Sequence, residues 1–275
     1  MSQQKQIRRK TVRDIASAKS GDPLVCLTAY SAPMAELLDP YCDILLVGDS
    51  VGMVVHGLPS TVGVTLEMMI LHGQAVMRGS EQAFVVVDMP FGSYETNADQ
   101  AFLNAARLMS EVGCQAVKIE SGTYASHQIA HLVARGVPVM GHVGLRPQAV
   151  HLEGGFRTKG RTEAGWQKAL DEAKAAADAG AFALVVEGVS EDLAEEITNS
   201  VPCPTIGIGA SAKCDGQILV TEDMLGLFDW TPKFVRKFGQ MRGDIQHAVE
   251  AYQSAVQSRT FPGSAEIYKY PKPGS

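Results

Sequence analysis

Cysteine is scarce, five in 275 residues, and no two of them form a C-x-x-C pair. Cys26, Cys42, Cys114, Cys203 and Cys214 are scattered and odd in number. That excludes a disulfide framework or a structural zinc site and points to a reducing cytoplasm. No apolar run approaches the roughly 18 residues of a bilayer span. The polar, basic stretch 1–15 has no apolar segment behind it, so neither a membrane span nor a secretory signal is expected. Positive charge is not in excess either: 24 Lys and Arg face 30 Asp and Glu, a formal charge of −6. Nucleic acid is therefore not expected as a partner, because phosphate backbones call for clustered cations. A small anionic substrate needs only a local positive site. What is present is ordinary globular material, 45% apolar and 20% charged. A chain of this length buries a core without staples and fits one α/β barrel.

One rhythm runs through the chain. Short runs rich in Val, Ile and Leu at 25–30, 44–48, 84–88, 116–120, 137–142, 184–187, 204–209 and 234–238 read as strands. Being continuously apolar, they suit parallel strands covered on both faces. Stretches 66–78, 99–112 and 162–179 carry helical spacing, and Gly113, Gly136 and Gly180 follow helix ends. Thr11 and Asp14 have the spacing of a capping box that would start a leading helix. This alternation predicts an α/β fold, a (β/α)8 TIM barrel with a leading N-terminal helix. An open doubly wound sheet would share the local pattern. The barrel is expected to occupy 1–262 as a single catalytic domain, with 263–275 as an extended tail rich in Pro and Gly. The Gly-rich loop 148–165, with Arg157, Lys159 and Arg161, is a candidate lid.

The acids carry the functional signal. Asp49 follows Ile44-Leu45-Leu46-Val47-Gly48, and Asp88, Glu120 and Glu187 each close an apolar strand. In a barrel those C-terminal ends converge on one rim, where active sites of this fold are built. Converging carboxylates repel unless a positive charge sits among them, and a hard divalent cation, Mg²⁺ above all, fits oxygen ligands. The plainer alternative is that each acid caps the next helix. Lys118 shares a strand face with Glu120 and would sit just below it, compensating the acids or binding a substrate carboxylate. His142 closes the fifth strand, in reach of a substrate oxygen or a carboxylate. His72 and His131 fall in helical patterns and read as structural. The turn Gly207–Ser211 offers backbone N–H groups to an anion, but glycine packing explains it as well.

Five segments extend this reading: Val47-Gly48-Asp49-Ser50-Val51-Gly52-Met53, Val87-Asp88-Met89-Pro90-Phe91, Val117-Lys118-Ile119-Glu120, Gly141-His142-Val143-Gly144-Leu145, and Ile206-Gly207-Ile208-Gly209-Ala210 with Asp215-Gly216-Gln217. In order and over residues 11–262 they resemble the signature segments of the ketopantoate (3-methyl-2-oxobutanoate) hydroxymethyltransferase family. The resemblance implies a Mg²⁺-dependent barrel enzyme of pantothenate and coenzyme A biosynthesis. Such an enzyme moves a one-carbon unit from the co-substrate 5,10-methylenetetrahydrofolate to 3-methyl-2-oxobutanoate, giving 2-dehydropantoate. It also implies Asp49, Asp88 and Glu120 as metal carboxylates, Glu187 as the catalytic base, and a ring-like homo-decamer. The candidate substrate-binding set is Asp49, Ser50, Asp88, Lys118 and His142. Ser190 and Ser211 depart from the family's usual Pro and Gly. Two other readings stand beside this one. The first is a Mg²⁺-dependent keto-acid lyase or mutase of the isocitrate lyase and phosphoenolpyruvate mutase type, whose KKCGH-like segment is missing here. The second is a non-catalytic ligand-binding barrel.

Overall fold

The computed structural model describes residues 8–155 and 158–269. Eight parallel strands close into a barrel in chain order. They are β1 (Leu24–Thr28), β2 (Ile44–Val47), β3 (Phe84–Asp88), β4 (Ala116–Glu120), β5 (Val139–Gly144), β6 (Ala183–Glu187), β7 (Thr205–Ile208) and β8 (Gly216–Leu219). The outer helices include α2 (Ala32–Leu38), α4 (Leu66–Gly79), α5 (Ala98–Arg107), α6 (Ser126–Val133), α8 (Glu163–Asp178) and α9 (Glu191–Ser200); the short α3 (Val51–Val54) and α7 (Val150–Glu153) lie in the connections. The predicted (β/α)8 barrel is the fold observed.

Alternation along the strands builds two apolar layers. Ile44, Leu46, Phe84, Val86, Ala116, Met140, Val185 and Ile206 form the cluster inside the barrel. Leu45, Val47, Val85, Val87, Val117 and Ile119 belong to the layer beneath the helices. Both faces of β2 to β5 are covered, which is why those runs are apolar throughout. The inward parity continues from Phe84 and Val86 to Asp88, from Ala116 to Lys118 and Glu120, and from Met140 to His142. The same face is therefore oily at one end and charged at the other.

The leading helix α1 (Val12–Ala16) starts at the predicted capping box: Thr11 and Asp14 exchange side-chain and backbone hydrogen bonds. Its Ile15 packs into the interior cluster, with Val12 and Ala18 beside it. Lys10 N–H donates to Gln82 O just ahead of β3, so α1 closes the N-terminal end of the barrel.

The eighth strand is not at 234–238. That stretch forms no strand, and Phe234 and Phe238 are exposed. The barrel is closed by β8, which pairs with β1 through Leu24↔Gly216 and with β7 through Ile206↔Gly216. No helix separates β7 from β8, so the rhythm used to find strands breaks there. Gly216 is required by the closure: a Cβ at that position would lie 2.7 Å from both Cβ and O of Leu24. Asp215 anchors the strand by accepting from Thr205 N, Ser20 N and Lys19 Nζ, each at 2.9 Å. The stretch predicted as one helix over 99–112 is α5 followed by a π-helical turn, Leu108–Val112, ending at left-handed Gly113.

Packing divides the chain into Met1–Thr221, which carries the barrel, and Glu222–Ser275. The short α10 (Thr221–Met224) spans that division, and the second unit carries α11 (Met241–Gln257), where Tyr252 meets Phe261 edge to face at 5.5 Å. Arg157 of the candidate lid and residues 270–275 of the predicted tail lie outside the described residues. All five cysteines are free and buried. Among the described residues no helix is long and apolar enough to cross a membrane.

Candidate active site

Strand register assembles the charged mouth. Asp88 is paired with Lys118, Glu120 with His142, and Gly144 with Glu187. Asp49 stands two residues beyond the end of β2, and its backbone N–H donates to Asp88 Oδ2 at 2.9 Å. Asp49, Asp88, Lys118, Glu120 and His142 are each no more than 6% exposed. Lys118 Nζ lies 3.1 Å from Asp88 Oδ1 and 3.3 Å from His142 Nδ1. His142 Nε2 lies 3.1 Å from Glu187 Oε2. An ammonium only donates, so Nδ1 accepts and the imidazole proton sits on Nε2, facing Glu187.

The electrostatics follow from three buried carboxylates around one ammonium. Burial, then the charge of Asp88, pushes Asp49 up to about 7, against the opposing pull of Lys118 and Gln148. Burial, then Asp49, drives Glu120 well above the carboxylate range. Burial alone would lower Lys118, but Asp88, Asp49 and Glu120 outweigh it and keep the ammonium charged. Burial, then Lys118, depresses His142 although Glu187 favours its protonation. The mouth is thus short of positive charge.

That shortage is the test of whether a metal fits. A hard dication offers the missing charge to oxygen donors, and Asp49, Asp88 and Glu120 are all oxygen donors. Among the described residues no three His, Cys, Asp or Glu side chains form a ready-made metal cage. Mg²⁺ does not need one, since it keeps waters or substrate oxygens and takes one or two protein carboxylates. The residues present fit a Mg²⁺-type centre completed by substrate.

The helix-cap alternative for the acids finds no support. Asp49 accepts from the Gln148 carboxamide, Asp88 from Asp49 N–H, and Glu120 from Gln148 N–H. Ser50 stands at the start of α3 without capping it, its hydroxyl 2.8 Å from Tyr30 Oη. His72 is held by Tyr30 O at 2.7 Å and His56 at 2.9 Å, and His131 lies 3.5 Å from Asp99, both away from the mouth. At the end of β7, a Cβ on Gly207 would lie 3.1 Å from Cys214 Sγ and from the Gln217 carboxamide, which is the packing explanation.

Sequence reasoning missed Gln148 and Tyr94. Gln148 is buried, donates to Asp49 Oδ2 and Met89 O, and accepts from Tyr94 Oη at 2.6 Å. The sequence signal was its place at the start of the long loop after β5. Nothing local marks Tyr94. On the same loop, Glu153 pairs with Lys159 at 2.6 Å and with Arg146 at 3.4 Å.

Fold and rim define a (β/α)8-barrel enzyme with its charged groups at the C-terminal mouth. A family model described as ketopantoate hydroxymethyltransferase matches residues 9–264. A 3-methyl-2-oxobutanoate hydroxymethyltransferase of Hyphomonas neptunium is 70% identical over 275 residues, covering 100% of both chains. One of Maricaulis maris is 67% identical over 95% of this chain and 94% of its own. The chain belongs to the ketopantoate hydroxymethyltransferase family. Among solved structures, a phosphonopyruvate hydrolase matches with TM-score 0.61 at 14% identity, over 94% of this chain and 92% of the other. A 2,3-dimethylmalate lyase of the PEP mutase/isocitrate lyase superfamily matches with TM-score 0.56 at 17% identity, over 95% and 90%. At such identities the likeness is one of fold, so the lyase and mutase alternative shares the barrel without gaining the chemistry.

Proposed function

We propose that this chain transfers a hydroxymethyl group from 5,10-methylenetetrahydrofolate to 3-methyl-2-oxobutanoate, giving 2-dehydropantoate, with Mg²⁺ as its metal. The observation that carries the reading is the set of three buried carboxylates, Asp49, Asp88 and Glu120, facing one ammonium, Lys118. These acids are the side chains that would hold the ion. Bound Mg²⁺ supplies the positive charge that stabilises the enolate of a 2-keto acid. Lys118 balances the substrate carboxylate, and Ser50 offers a hydroxyl at the same mouth. Glu187 comes from a separate strand and stays free to remove the β-proton. His142 Nε2 lies 3.1 Å from one oxygen of Glu187, leaving the other for the C–H bond. Water supplies the oxygen of the one-carbon unit: both C–N bonds of the methylene bridge break and tetrahydrofolate leaves. The carbanionic β-carbon forms its C–C bond to the freed carbon at the formaldehyde level, and the new alkoxide takes back the proton from Glu187.

The high-identity relatives named for this reaction support the reading. It includes a single catalytic domain over 1–262, a tail outside the chemistry, a cytoplasmic location and a homo-oligomer. The last is supported by the exposed apolar residues Ile245, Val249, Tyr252 and Val256 at helical spacing on α11.

Product analysis with keto acid, methylenetetrahydrofolate and Mg²⁺ tests the reaction: 2-dehydropantoate forms and a chelator abolishes it. The base is tested with Glu187→Gln, followed by NMR in deuterated water. Exchange of the substrate β-proton should fall by about 10²–10⁴-fold while keto-acid binding persists. Undiminished exchange would remove Glu187 from that role.

A further inference from the structure

We propose that Gln148 is a positioning residue that holds Asp49 and Glu120 in place for a divalent cation, an inference that rests on the metal-centre reading above. Its carboxamide has no freedom left. Nε2 donates to Asp49 Oδ2 at 2.8 Å and to Met89 O at 3.0 Å, while Oε1 accepts from Tyr94 Oη at 2.6 Å. A carbonyl and a carboxylate only accept, so the amide must present its NH₂ to them and its oxygen to Tyr94. The backbone N–H of the same residue donates to Glu120 Oε1 at 3.0 Å.

One residue therefore ties acids from β2 and β4, strands that are not neighbours. Between them β3 contributes Asp88, which accepts the Asp49 N–H. The second oxygen of each tied carboxylate, Asp49 Oδ1 and Glu120 Oε2, is not used by Gln148. A buried side chain needed only for packing would be apolar. A fully satisfied amide aimed at a carboxylate orients it, as outer partners of metal ligands do. The segment that carries Gln148 is itself fastened by the pair of Arg146 with Glu153. Loop conformation and carboxylate position are one mechanical unit.

The test is Mn²⁺ binding to the metal-free full-length protein, without keto acid or folate, read by titration calorimetry and electron paramagnetic resonance. Wild type, Asp88→Asn, Gln148→Met and Tyr94→Phe are compared. Wild type should bind and Asp88→Asn should bind more weakly. Gln148→Met should lose about 10–100-fold in affinity. Tyr94→Phe touches neither carboxylate but frees the amide, and should lose about two- to tenfold; it serves if Gln148→Met does not fold. Saturating Mn²⁺ should restore kcat in both, which a residue acting on the reacting atoms would not allow. Suppose folded Gln148→Met and Tyr94→Phe bind Mn²⁺ like wild type while Asp88→Asn does not. The role of Gln148 is then overturned and the metal centre stands. If wild type takes up no Mn²⁺, or Asp88→Asn binds it unchanged, the metal centre falls and the role of Gln148 with it.

Discussion

Asp39 and Asp49 are both buried aspartates, and their surroundings drive them in opposite directions. Burial alone would raise Asp39, but the Ser80 hydroxyl at 2.6 Å and the N–H groups of Ala83, Glu81 and Gln82 outweigh it and hold the carboxyl below its usual value. Asp49 meets Asp88 instead and rises to about 7. The first is a structural anchor; the second is the charge imbalance expected where chemistry is done. The fold holds Asp39 deprotonated, so its contribution is complete above the ordinary carboxylate pKa, near about 4. It is lost as pH falls through the lower folded value. Asp39→Asn should cost about 2–4 kcal/mol at pH 7, and the gap to wild type should close in acid. Urea midpoints measured against pH check both. A gap independent of pH would show that ionisation of Asp39 is not what the fold uses. Of the mouth residues, Asp49, Asp88, Glu120, His142 and Glu187 were legible because each ends an apolar run and Lys118 because it shares a strand face with Glu120, whereas Gln148 has neither mark.

At the scale of elements, β5 and β6 meet at a point of no tolerance. Gly144 has φ of 93°, and a Cβ there would lie 2.2 Å from Glu187 O. Gly144→Ala would strain β5 and push the strand that presents Glu187. A loss of at least about 2 kcal/mol is expected, together with a fall in kcat. Affinity for Mn²⁺ should fall less than kcat, because Asp49, Asp88 and Glu120 arise from other strands and only Gln148, four residues on from Gly144, links them to β5. Denaturation, steady-state kinetics and metal titration separate the three effects, and an unchanged kcat would mean that the Glu187 backbone is not held by this contact. Strands β2 to β7 were readable because two-sided burial writes itself as a continuous apolar run. β8 is short, exposes Gln217 and follows β7 without a helix. Its local pattern was weaker than the aromatic stretch 234–238, which the structure leaves exposed.

For the whole molecule, the informative contrast is between the barrel and α11. Strands β2 to β5 are buried from end to end, yet no residue of α11 is buried. Val249 and Tyr252 are 60% and 59% exposed on a helix of the second unit. Apolar residues repeated along one helical face call for a cover. Replacing Val249 and Tyr252 with Glu should lower the molar mass seen by light scattering while the circular dichroism of the barrel persists. A mass unchanged by both replacements would place the subunit interface elsewhere.

The amino-acid order by itself determined the alternation of strands and helices, the leading helix and the acids at strand ends, because period, capping and parity are local properties written within a few residues. Only the tertiary structure decided how those acids are held and which strand closes the ring. Gln148 reaches Asp49 across 99 positions and Glu120 across 28, and β8 is a strand because Leu24 and Ile206 flank it. Hydrogen bonds and strand pairings between distant segments leave no periodic trace, so they exist only once the chain has closed on itself.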